Sequence, residues 1–225
     1  MIAVAFETSG RPASVALNKD GESFEEVLTE GRAHASNLLP ALERLMERAH
    51  VEHAAIDVVF VGTGPGSYTG LRVGIATALG IARGADAKIL GIPSGESRTF
   101  AECEVGSEAS LLLDARQGEL YFAHYKRTQD GVETLHAPCV TTTAELDDRL
   151  PTSGILLGDA TVAKAAELSS DRVERLRIAD ESEGYPRAGA LLELGLSRLG
   201  AGESASMSAP EPLYLRPFAA KPRSK

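Results

Sequence analysis

The 225-residue sequence has no tryptophan, only two cysteines and no apolar run near the ~18 residues that a membrane-spanning helix needs. Cys103 and Cys139 form no C-x-x-C pair, so neither a disulfide scaffold nor a zinc site is expected, and a reducing cytoplasm is the compartment that fits. The start, Met1–Phe6, lacks the basic flank of a signal peptide and reaches Glu7 too early for one. Cations are in deficit: 23 Lys and Arg stand against 32 Asp and Glu, a formal charge of −9. That balance excludes a protein that grips nucleic acid over a broad basic face. The pairs H-E-x-x-H and H-x-x-x-H, the G-x-S-x-G elbow and the Gly-Lys-Ser/Thr of a P-loop are all missing.

The charge that is present is uneven. Residues 213–225 carry Arg216, Lys221, Arg223 and Lys225 and no acid, which leaves −13 on the rest. A solvated tail and a short basic arm for tRNA or an acidic partner both fit.

Along the chain, apolar runs and turn residues predict strands at 2–6, 13–17 and 23–29. A helix is expected from Ser36, as N-cap, to Ala49, with Pro40 in its first turn and Leu38, Leu42, Leu45 and Ala49 on one face. A buried strand at 58–61, a helix at 71–83 and a strand at 88–92 follow, so a mixed sheet covered by helices is expected. The second half reads similarly, with strands at 111–113, 120–125, 132–136 and 155–157 and helices near 161–168 and 187–199. Residues 2–17 and 111–125 both read strand, acid, small polar turn, strand, the acids being Glu7 and Asp114. The repeat implies two similar lobes meeting at a cleft, with a boundary near 103–108. Residues 200–212 read as a loop.

The strongest local signal is Gly64-Pro-Gly-Ser-Tyr-Thr-Gly-Leu-Arg-Val-Gly74 between a buried strand and a helix. Such a loop can present backbone N–H groups to an anion, or can be a tight turn that packs the helix on the sheet. Glu7 and Asp114 could hold a magnesium–phosphate group or could be solvated strand-end acids. His34 stands near a helix start, and His50 and His53 lack a third ligand nearby. Ser67 has no evident base, so neither a metal nor a Ser–His–acid peptidase is expected. Gly70, Gly74, Ala78 and Ala82 recur every four residues, leaving room for another backbone, from this chain's sheet or from another molecule.

These motifs resemble the TsaB (YeaZ) family, accessory subunits of threonylcarbamoyladenosine synthesis on tRNA, along nearly the whole chain. Gly64–Gly74 resembles G-P-G-S-F-T-G-x-R-x-G through Gly64, Pro65, Gly66, Ser67, Thr69 and Arg72. Arg32-Ala-His34 leading to Pro40 resembles R-x-H-x-x-x-L-L-P, and Asp114-Ala-Arg116-Gln-Gly-Glu-Leu-Tyr121 resembles D-A-R-x-G-E-V-Y. Tyr185-Pro186 and Pro212–Arg216 match the last landmarks. The resemblance implies an α/β fold of two ribonuclease-H-like lobes, as in the actin/Hsp70/sugar-kinase superfamily, with mixed sheets flanked by helices. The expected lobes are 1–105 and 106–212, with a basic tail at 213–225.

In that superfamily a nucleotide lies between strand-end acids and glycine turns, here Glu7-Thr8-Ser9, Asp114 and Gly158-Asp159. Glu7 replaces the usual Asp, and its longer side chain fills phosphate space, so the cleft reads as degenerate. The resemblance therefore implies a non-catalytic scaffold with no cofactor and no metal. A TsaD-type subunit would transfer threonylcarbamoyl to the adenosine beside the anticodon, a TsaE-type ATPase would join, and tRNA would be met indirectly. A homodimer is also open, and no membrane is involved. The alternative is a small-molecule kinase of the same superfamily. The expected partner face is Leu38, Leu42, Leu45 and Met46 with Gly70, Gly74, Ala78 and Ala82, so that Ala78→Arg would leave a folded chain without its partner.

Overall fold

The computed structural model describes residues 1–28, 34–158, 176–179 and 186–215, and of residues 34–36, 116 and 147 only the backbone. Arg32, Asp159, Tyr185, the tail from Arg216 onward and the helix expected at 161–168 lie outside the described residues.

Strands β1 (Ile2–Glu7), β2 (Ala13–Lys19) and β3 (Glu22–Leu28) form an antiparallel meander. Then come α1 (His34–Ala49), β4 (Val58–Gly62), α2 (Tyr68–Gly84) and β5 (Lys88–Ile92). β4 pairs parallel to β1, and β5 parallel to β4, giving the order β3-β2-β1-β4-β5. After α3 (Ser94–Glu102), the pattern returns as β6 (Glu108–Arg116), β7 (Glu119–Arg127), β8 (Val132–Thr142), α4 (Thr143–Arg149), β9 (Gly154–Leu157) and β10 (Leu176–Ile178). Their order, β10-β9-β6-β7-β8, has the same senses: two antiparallel pairings and two parallel ones. The internal repeat is therefore real at the level of topology.

Alternation along the first sheet divides its side chains between two cores. Val4, Phe6, Val15, Leu17, Val59 and Val61 face α1 and α2, while Ala3, Ala5, Ala16, Val58 and Phe60 face the other way. That second face is covered by α5 (Ala188–Gly200) through Leu191, Leu192 and Leu194. Gly195 lets α5 lie close, since a Cβ there would come 2.6 Å from the Phe60 ring. The helix start is anchored by Ser14 Oγ, which accepts from the Ala188 amide at 2.8 Å, and by Glu25, which accepts from the Gly189 amide and from Arg187.

This corrects the expected lobe boundary at 106–212. The last helix returns to the first sheet, and the chain beyond it follows: Ser206 bridges Ile89 on β5, and the Leu213 amide donates to Thr63 O at 2.8 Å. The physical reason is that the first sheet would otherwise expose an apolar face. α3 links the lobes. Its Gly95 sits under Tyr125 and Leu111 of the second sheet, and its Glu96 pairs with Arg198 of α5.

Helix α1 begins at His34, so Ser36 is not its N-cap and Pro40 lies in the second turn. Helices 94–102 and 143–149 and strand 176–178 were not foreseen.

Leu192 is fully buried on the first sheet. Leu192→Ala is expected to cost about 2–5 kcal/mol in a urea melt. In native-state hydrogen exchange, the loss of protection should fall on β1 and β2 rather than on β6 and β7.

Candidate functional site

The glycine motif is a clamp on the chain's own first turn. A Cβ at Gly62 would come 2.2 Å from Glu7 Oε2, one at Gly66 2.3 Å from Ser9 O, one at Gly70 2.1 Å from Thr8 O and one at Gly74 2.1 Å from Thr8 Oγ1. Thr8 Oγ1 donates to Gly70 O at 2.8 Å, and the Ser67 amide donates to Ser9 O at 2.7 Å. Ser67 is the N-cap of α2, its hydroxyl accepting from the Gly70 amide at 3.2 Å. Gly64 turns the chain with φ +98° beside Leu71. Of the two readings left open, the structure shows the helix-packing turn: the close approach is to residues 7–9 of the same chain.

Glu7 lies beneath this loop, 1% exposed. Its Oε1 accepts from the Ser9 amide at 2.8 Å, and its Oε2 has no hydrogen-bond partner among the described residues. Burial pushes its carboxyl above the ordinary range and outweighs the Ser9 bond, which acts the other way. Asp114 instead is exposed. The two acids are also out of register. Glu7 is the residue after Phe6, where pairing with β4 ends, whereas Asp114 comes three after Leu111, the last residue paired with β9.

Between the lobes runs a cleft of about 550 Å³. It brings together Ser9, Arg11, Pro65, Gly66, Ser67 and Thr69 on one wall and Asp114 with Tyr121 on the other, with Arg98 of α3 also in the lining. Glu7 and Thr8 are not in that lining: one is buried below it and the other is turned into α2. Gly158 is held by β6, since a Cβ there would come 1.8 Å from Leu112 O. His34 opens α1 and Arg116 ends β6. Among the described residues no group of three or more His, Cys, Asp or Glu side chains is placed to hold a metal ion. No described helix is long and apolar enough to cross a membrane.

Two expectations are corrected. Leu38, Leu42, Leu45, Met46, Ala78 and Ala82 are buried in the core between α1, α2 and the first sheet, and Gly74 is filled by Thr8, so none offers a free surface. The apolar stripe is no larger than the sheet it covers. Second, a Ser–His–acid set does exist: Ser110 Oγ lies 3.0 Å from His124 Nδ1, and His124 Nε2 lies 3.1 Å from Glu108 Oε2. Adjacent antiparallel strands bring it together, pairing Ser110 with His124, and strand alternation in 108–110 was the only signal for it. Ser110 is 0% exposed, so no substrate reaches it and the set ties β6 to β7. Cys103 is equally inert, because burial pushes its thiol up to about 11.

A family model described as TsaD, tRNA N6-adenosine threonylcarbamoyltransferase, matches residues 28–217. The tRNA threonylcarbamoyladenosine biosynthesis protein TsaB of Escherichia coli is 30% identical over 131 residues, 57% of each chain. The chain belongs to the TsaD family. The TsaB protein of Haemophilus influenzae is 32% identical over 126 residues, 55% of this chain and 53% of its own. The chain thus spans little more than half the length of the curated relatives it matches. YeaZ from Pseudomonas aeruginosa shares the fold at a TM-score of 0.80 and 23% identity, over 95% of this chain and 99% of that one.

Glu7 yields a signed pH prediction. As pH rises past the ordinary value of 4.5, the unfolded chain ionises while folded Glu7 still holds its proton, so stability falls until Glu7 ionises too. Glu7→Gln keeps the oxygen that Ser9 needs and removes this decline. Urea melts from pH 4 to pH 8 should show the variant gaining on the wild type with rising pH, and parallel curves would refute the assignment.

Proposed function

We propose that this chain is a non-catalytic scaffold subunit of a cytoplasmic complex that attaches threonylcarbamoyl to the adenosine beside the anticodon of tRNA. The observation that carries the reading is the clamped glycine loop. Where a kinase of this superfamily needs free amides and an ionised acid at the phosphates, the Ser67 amide is taken by Ser9 and the Gly70 amide by Ser67. Glu7 is sealed under the loop with a raised pKa. The names carried by the E. coli and H. influenzae relatives support the same reaction. The missing H-x-x-x-H pair supports a division of labour in which a TsaD-type subunit does the transfer and a TsaE-type ATPase joins.

The partner face belongs on the outer side of the paired helices α1 and α2, because the inner side is core. There Leu39 is 46% exposed, Ala76 and Gly80 are exposed, and Thr77 lies beside them. A Cβ at Gly80 would meet nothing within 4 Å. The same face would serve a second copy of the chain when the partner is absent.

The test is co-purification with a TsaD-type subunit, beside titration of the pure chain with Mg-ATP. Gly80→Arg should fold, melt near the wild type and lose the partner. Ala78→Arg places a charge in the core and should fail to fold. Retained binding by folded Gly80→Arg would remove this face. Micromolar binding of Mg-ATP at one site per chain would favour the kinase.

A further inference from the structure

Helix α3 has two working sides. Its Ser94, Gly95 and Arg98 line the cleft between the lobes. Glu96 and Phe100, four residues apart and so on one side of the helix, turn instead toward α5. α5 covers the first sheet, and the β7–β8 hairpin belongs to the second. The seam where α3, α5 and that hairpin meet therefore joins one lobe to the other.

Three sets of polar contacts are built into this seam. The Glu96 carboxylate pairs with Arg198 of α5, their side chains 10% and 18% exposed, and Thr134 of β8 donates to the other Glu96 oxygen at 3.4 Å. Ser197 of α5 donates to Asp130 O, in the β7–β8 turn, at 3.1 Å. Arg127, the last residue of β7, holds its guanidinium 3.7 Å from the centroid of the Phe100 ring and donates from Nε to Phe100 O at 3.2 Å. The same guanidinium is fixed from its own lobe, donating to Gly131 O at 2.9 Å and to Thr128 O.

A change in the width of the cleft turns one lobe against the other and slides the hairpin along α3 and α5. That motion parts all three sets together. Attraction between two shielded ions offsets their desolvation only while they stay in contact. Once parted, Glu96 keeps a neutral hydroxyl, and Arg198 keeps only Glu203, 3.7 Å away and part-exposed. Arg127 loses the ring and the carbonyl in one step. Packed seams of this kind hold one arrangement or break to another; they do not deform continuously.

We propose that the α3–α5–hairpin seam is a latch that holds the two lobes at one angle, so that the cleft keeps one width with or without a ligand. The latch does not rest on the scaffold reading. A chain that binds a TsaD-type subunit while its cleft opens and closes keeps the scaffold and loses the latch, and a rigid chain without a partner does the reverse.

The test is double electron–electron resonance on the full chain, with spin labels at Arg83→Cys and Asp148→Cys, exposed positions on the two lobes. Cys139 is replaced by Ser, and the buried Cys103 stays. Dilution in unlabelled chain confines the signal to distances within one molecule. One narrow distance is expected, unmoved by Mg-ATP. Glu96→Leu combined with Arg198→Met exchanges the pair for apolar bulk and should melt near the wild type, whereas a single change strands a charge. In that double variant the distribution should broaden about twofold or split in two. If it does not fold, Arg127→Gln, which takes the cation off Phe100, carries the same comparison. A wild type with a broad or double distribution, a shift on adding Mg-ATP, or a folded variant as narrow as the wild type would each overturn the latch.

Discussion

Helix α2 meets the turn at residues 7–9 through glycines, with only the Thr8 side chain reaching across, and the N-terminal lobe is organised around that contact. Gly62, Gly66, Gly70 and Gly74 recur every fourth residue, and a methyl group at any of them would overlap Glu7, Thr8 or Ser9. Glycines inside a helix cost roughly 1 kcal/mol each relative to alanine. The Thr8 hydroxyl bond to Gly70 O and the Ser67 amide bond to Ser9 O offset part of that cost, because they need the two backbones this close. The same closeness decides the chemistry. Amides at the start of a helix are the natural ligands of a phosphate, and here two of them are consumed inside the protein. A loop that looks in sequence like a cradle for an anion is spent on holding a helix.

The second lobe carries the same strand order without that clamp. Gly158, at the turn after β9, is pressed against Leu112 O, and Asp114 stays in solvent rather than under a loop. One topology thus gives two different strand ends. What couples the lobes is α3, whose Glu96 forms a shielded ion pair with Arg198 of α5. Such a pair adds little net stability when intact, yet losing one partner would strand a charge in a poor solvent. It serves to fix where α3 lies, and with it Arg98 in the wall of the cleft.

Much of this was legible in the sequence. The first sheet announced itself because its strands are short runs of alternating or continuous apolar residues bounded by Asp20-Gly21, by Gly62 and by Pro93. The weak repeat between residues 2–17 and 111–125 pointed to two lobes, and the sheets bear that out. The side of α2 was not legible: four-residue spacing of small side chains says that a backbone comes close, but not whose. Nor could periodicity tell that Leu38, Leu42 and Leu45 are needed in full by one sheet, since the area of a sheet's face is a tertiary quantity. Helix α3 was missed because Ser94-Gly95-Glu96-Ser97 reads as a turn; its burial between the lobes overrides that propensity. The return of α5 to the first sheet is a long-range choice for which no local signal exists.

The displaced acids bear most directly on what the cleft can do. A magnesium–phosphate site is held by one or two ionised carboxylates together with the phosphates. Of the two candidates here, one is buried with a raised pKa, and the other comes three residues after β6 stops pairing with β9, where Glu7 comes one after β1 stops pairing with β4. Restoring the site would require reopening the Gly62–Gly74 clamp and shifting Asp114 along its strand, changes on two lobes at once. A single substitution does not convert one state to the other. The cleft persists because the two lobes must meet somewhere.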